Sequence, residues 1–146
     1  MDSSPDSLGT GSRRPDLRRG ILVVDDEQVV LRLMALGLSR EGFDVFAASN
    51  GRQALELFES HRSEICVLVT DLNMPRMTGL QLIEQVQVAE PHPQIVACSG
   101  EAALLHQVSD RWGATVATLA KPYHMNELRA AVSAACERIP PAETGE

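Results

Sequence analysis

Five times between residues 21 and 138, a short apolar run is followed by a longer stretch whose apolar residues recur at helical spacing. The runs are Ile21 to Val24, Val45 to Ala48, Cys66 to Val69, Ile95 to Cys98 and Val116 to Ala120. Four or five consecutive apolar residues read as strands covered on both faces. The intervening stretches carry Val29, Val30, Leu33, Met34 and Leu38, then Ala54, Leu55, Leu57 and Phe58 behind a capping Asn50, then Leu80, Leu82, Ile83 and Val86. A weaker helix covers Ala102 to Ser109, and the last runs from about His124 to Arg138 with Met125, Leu128, Val132 and Ala135 on one face. Strand and helix in strict alternation imply an α/β fold: a parallel sheet covered on both sides by right-handed crossovers.

The chain has 146 residues, the size of one domain, and 44% of them are hydrophobic, which is enough for a core without disulfide or metal. Thirteen basic residues against 20 acidic ones give a net charge of −7. That balance argues against a sequence-independent nucleic-acid binder, which needs a cationic face. No apolar run approaches a membrane span and the N-terminus is polar, so neither a membrane anchor nor a signal peptide is expected. Cys66, Cys98 and Cys136 form no C-x-x-C pair and are odd in number, which reads as reduced thiols of a cytoplasmic protein. The four histidines are scattered, not gathered as metal ligands. Residues 1–20, rich in Ser, Gly, Pro and Arg, and residues 139–146 are expected to be disordered tails around a domain at 21–138.

Open parallel sheets carry their functional groups beyond the C-terminal ends of the strands. The first strand ends in Asp25, Asp26 and Glu27, the third in Asp71 with Asn73 just beyond, the fourth in Ser99 and the fifth in Lys121. Carboxylates crowded on one rim repel each other and call for a hard divalent cation; Mg2+, which takes one or two carboxylates, waters and phosphate oxygens, fits best. Lys121 is the only lysine beside twelve arginines, and it suits the neutralisation of a phosphoryl oxygen. Asp71 is the candidate nucleophile, since an aspartate can form an aspartyl-phosphate, with Lys121 and Ser99 binding the phosphoryl oxygens.

The strings VVDDE at 23–27 and VTDLNMPRMTGLQL at 69–82, with Lys121-Pro122, resemble the response-regulator receiver domain of two-component signalling, CheY-like and of the stand-alone type. The resemblance implies a flavodoxin-like, doubly wound (βα)5 fold with strand order 2-1-3-4-5. It implies that Asp71 is phosphorylated by a histidine kinase or phosphotransfer protein. Mg2+ would be held by Asp26, Asp71 and the backbone carbonyl of Asn73, with Asp25 assisting through a water. Ser99 would be the switch hydroxyl, and the Lys121–Pro122 bond is expected to be cis.

Two positions depart from the family pattern. Thr118 stands where an aromatic usually swings inward on activation, and Gly100 follows the switch serine where alanine is common, so any signal is expected to pass through the backbone near Ser99 and Gly100. Asn73 and Glu101 fall at rim positions that influence phosphoryl lifetime in the family. Nothing after residue 138 has the length of an effector domain, so the expected output is binding of a downstream protein or a phosphorelay. Two other readings are a pseudo-receiver that binds without phosphorylation and a haloacid-dehalogenase-like phosphatase. The phosphatase needs D-x-D, and here the string is Asp71-Leu72-Asn73.

Overall fold

The computed structural model describes residues 19–138; the expected tails over 1–20 and 139–146 lie outside the described residues except for Arg19 and Gly20, the latter opening the first strand. The elements are β1 (Gly20–Val24), α1 (Gln28–Ser39), β2 (Asp44–Ala48), α2 (Gly51–His61), β3 (Ile65–Asp71), α3 (Gly79–Gln87), β4 (Gln94–Ser99), α4 (Ala102–Trp112), β5 (Val116–Ala120) and α5 (Met125–Glu137). A single 3₁₀ turn, Gly113–Thr115, precedes β5. All five strands are parallel in the order β2-β1-β3-β4-β5, so the expected order is met. None of the helices among the described residues is long and apolar enough to cross a membrane.

The apolar runs are central strands for the reason their composition gives. Every residue of β1 and β3 is buried, as are all but the first of β4, because helices cover both faces. The edge strands β2 and β5 are half-exposed. One core joins Leu22, Leu68 and Ile95 to Ala54, Phe58, Leu82, Ile83, Val86 and Val108, so α2, α3 and α4 share a face. The other joins Val23, Val67 and Val96 to Leu31, Met34, Leu38, Leu128 and Val132, which places α1 and α5 opposite.

Boundaries depart from the sequence pattern where polar residues belong to the ladder. β1 starts at Gly20, one residue before the apolar run, and Arg19 is already anchored: it stacks 4.7 Å over Phe43 and donates to the Gly42 carbonyl. β3 continues through Thr70 and Asp71, whose Cα partners are Ala97 and Cys98. Asp71 is the last residue of the strand, as the sequence pattern predicts. Asn50 caps α2 as expected, accepting from Gln53 N–H at 2.8 Å. Thr78 and Gln81 cap α3 reciprocally. Gly79 lies against the end of β3: its N–H donates to the Leu72 carbonyl, and a Cβ there would approach Leu72 Cα to 2.7 Å.

Phe58 is among the largest fully buried side chains. Phe58→Ala should lower unfolding free energy by about 3–5 kcal/mol in urea titration, through lost burial and a residual cavity. A loss below about 1 kcal/mol would show that α2 does not seal this core.

Candidate functional site

The site is assembled at the C-terminal edge of the sheet, around the point where β1 has β2 on one side and β3 on the other. Asp25 follows β1, and its backbone N–H still donates to the Ala48 carbonyl. Its carboxylate turns back to accept from Glu27 N–H at 2.9 Å, so it is both buried and locally fixed. Asp26, the next residue, is exposed. Asp71 ends β3 and is 5% exposed. Carboxylate oxygens from Asp25, Asp26 and Asp71 all lie within 4.8 Å of one another.

Lys121 reaches this cluster from across the sheet. Its backbone N–H donates to the Ser99 carbonyl, which fixes the start of the stem beyond β4. Its Nζ then donates to Asp25 Oδ2 at 3.0 Å and lies 3.4 Å from Asp71 Oδ1. Sequence reasoning set the amine across a gap from the acceptor; here it touches both carboxylates. The Lys121–Pro122 peptide is cis, as expected.

Burial pushes the Asp71 carboxyl above the ordinary aspartate value; the Lys121 charge and a backbone hydrogen bond from Asn73 pull the other way, and the Asp25 charge adds to the rise. Burial alone would lower the Lys121 ammonium, but its hydrogen bond to Asp25 and the Asp71 charge carry it above the usual lysine value. One ammonium against three carboxylates leaves the rim net anionic. The donor atoms are all hard oxygens on short side chains, so the residues present fit a small divalent cation such as Mg2+.

Ser99, fully buried at the end of β4, does not point at Asp71. Its hydroxyl donates to Asn73 Oδ1 at 2.9 Å and accepts from Glu101 N–H at 2.9 Å, while Asn73 Nδ2 donates to Glu101 Oε2 at 2.6 Å. This three-residue chain ties the loop after β3 to the N-terminus of α4, where Glu101 is the cap residue. Sequence reasoning named all three residues but not their mutual bonds, which depend on the register of β3 against β4. Thr118 is exposed on β5. At Gly100 a Cβ would meet only Lys121 Cβ, at 3.9 Å, so packing there does not demand glycine. Tyr123 escaped the sequence reading: it packs on the α1/α5 core with its hydroxyl buried and without a hydrogen-bond partner, and burial raises its pKa. Only its place two residues after the lone lysine could have flagged it. Burial also pushes the neighbouring Cys98 thiol up to about 12, which keeps it protonated.

A family model described as "Response regulator receiver domain" matches residues 21–133. Sporulation initiation phosphotransferase F of Bacillus subtilis is 30% identical over 113 residues, which cover 77% of this chain and 89% of that protein. The transcriptional regulatory protein GlrR of Escherichia coli is 28% identical over 122 residues; the match spans 84% of this chain but only 27% of that protein's length. Among solved structures, a response regulator receiver domain protein from Clostridium thermocellum superposes with a TM-score of 0.73 at 28% identity, covering 82% of this chain and 94% of that one. The chemotaxis response regulator CheY4 of Vibrio cholerae superposes with a TM-score of 0.70 at 27% identity, covering 81% and 98%.

The raised pKa of Asp71 has a definite sign for stability. A carboxyl whose folded pKa lies above its unfolded value gives stability below the unfolded pKa, and loses it as pH rises through the folded one. With a chelator present, Asp71→Asn should therefore be more stable than the parent chain near pH 7, and the gap should close as pH falls toward the ordinary aspartate value. Denaturation at both pH values measures this, and Mg2+ should narrow the gap. A variant less stable than the parent at pH 7 would refute it.

Proposed function

We propose, for a chain that belongs to the response regulator receiver domain family, that Asp71 accepts a phosphoryl group from a histidine kinase or phosphotransfer protein, and that the phosphorylated form signals by binding a downstream protein or by phosphorelay. The observation that carries this is one juxtaposition: a carboxylate oxygen of Asp71 lies 3.4 Å from the chain's single lysine and within 4.8 Å of two further carboxylates.

In the transfer, an Asp71 carboxylate oxygen attacks phosphorus. The new O–P bond forms as the P–N bond to the donor histidine breaks, and that bond's electron pair returns to the imidazole nitrogen. Raised basicity at Asp71 favours attack, while the Lys121 charge works against the rise. Lys121 then moves its hydrogen bond from Asp25 to a phosphoryl oxygen, a short displacement for a flexible stem. Asp26, Asp71 and the Asn73 backbone carbonyl would hold Mg2+, with Asp25 assisting through a water; when bound, the ion neutralises charge on the transferring oxygens.

Ser99 supplies the response. Turning its hydroxyl from Asn73 to a phosphoryl oxygen removes the acceptor from Glu101 N–H and loosens the start of α4. This route needs no aromatic at position 118 and is a population shift biased by the added charge.

Incubating the full chain with Mg2+ and a small acyl phosphate should raise its intact mass by one phosphoryl group that hydroxylamine removes. Chelation and Asp71→Asn should each abolish the gain; an unchanged mass, or phosphate on another residue, overturns the proposal. Ser99→Ala should still be phosphorylated, but with little change in amide exchange over residues 101–105, where the parent chain loses protection.

A further inference from the structure

At the opposite edge of the sheet, two thiols that are distant in sequence meet. Cys66 is the second residue of β3, five residues before Asp71, which at strand rise is about 17 Å away along the strand. Cys136 lies in the last turn of α5. The two sulfurs are 3.8 Å apart across a separation of 70 residues. Their surroundings differ in the way an ordered reaction requires. Cys66 is 0% exposed, walled in by the core that α1 and α5 form with the sheet, whereas Cys136 is only partly buried.

We propose that Cys66 and Cys136 are a modification site that closes to a reversible intrachain disulfide under a hydroperoxide oxidant. The site is independent of the phosphoacceptor reading and shares no residue with it.

The sequence of events follows from exposure. Cys136, as thiolate, attacks the peroxide: an S–O bond forms, the O–O bond breaks and water leaves once a proton is taken up, giving a sulfenic acid. Cys66 is shielded from the oxidant but in contact with that sulfur. Its thiol attacks Cys136 Sγ, the S–S bond forms, the S–O bond breaks and a second water departs. Two thiols and one molecule of hydrogen peroxide have become one disulfide and two waters (an organic hydroperoxide leaves its alcohol in place of the first water), with the two electrons of the thiols taken by the O–O bond. The sulfurs must close from 3.8 Å to about 2.05 Å, which side-chain rotation at the final turn of a helix can supply. The hydrogen bond from Cys66 and the Arg19 guanidinium lower the Cys136 thiol pKa against the opposing effects of its burial and of Glu137, which favours the attacking species. Cys98 contrasts on each count: it is buried at the other end of the sheet beside Asp71 and its thiol is held protonated.

The test uses the full reduced chain, exposed to hydrogen peroxide at neutral pH, quenched with N-ethylmaleimide and mapped without reductant. The expected product is lighter by two hydrogens before alkylation and yields one peptide joining residues 66 and 136. Dithiothreitol restores both thiols, and Cys98 is alkylated only after denaturation. Cys136→Ser should leave Cys66 unoxidised, and Asp71→Asn should form the cross-link as readily as the parent chain. Because the parent chain's peptide map is decisive by itself, a variant that folds poorly does not remove the test. Oxygen added to Cys136 without a cross-link, a dimer joined through Cys136, or a bridge involving Cys98 overturns the proposal.

Discussion

Like charge in a small volume is the constraint around which this rim is organised. Three carboxylates whose oxygens lie within 4.8 Å are tolerable only with compensating positive charge, and the chain commits one ammonium to it. Lys121 does so from the end of β5: anchored by its backbone to β4, it spans to the ends of β3 and β1. Strand order thus becomes electrostatics, because this topology lets one stem touch Asp25 and Asp71 together. The remaining charge imbalance is what makes the rim fit a small divalent cation.

The fold was legible because its signal is repeated. Five apolar runs, each followed by a helical stripe, fix class and layer structure, and the differences fall at element ends, as with Gly20, which joins β1 rather than the tail. The rim residues were legible for a related reason: strand ends point to one edge once the sheet is known to be parallel. What the sequence could not convey is contact between residues whose meeting depends on register or on the length of a helix. The bonds among Ser99, Asn73 and Glu101 belong to the first kind, and the proximity of Cys66 to Cys136 to the second. Reading all three cysteines as inert buried thiols treated them one at a time, where the structure presents two of them as neighbours.

Ser99 illustrates how a hydroxyl with one donor and two acceptor positions can serve as a relay. In the structure it donates to Asn73 and accepts from the cap residue of α4. Two hydrogen bonds thus join the loop after β3 to the start of α4 through one small side chain, in a chain that carries a threonine at position 118.

The contact between Gly79 and the end of β3 constrains how such a molecule can vary. With no side chain between them, the first turn of α3 and the backbone of Asp71 and Leu72 are a single rigid unit. Side chains on the outer face of that helix can change without touching the strand, yet any enlargement at its first residue must displace the backbone of Asp71 and Leu72. Substitution on one helix thus carries unequal consequences for the rim, depending on the turn that receives it.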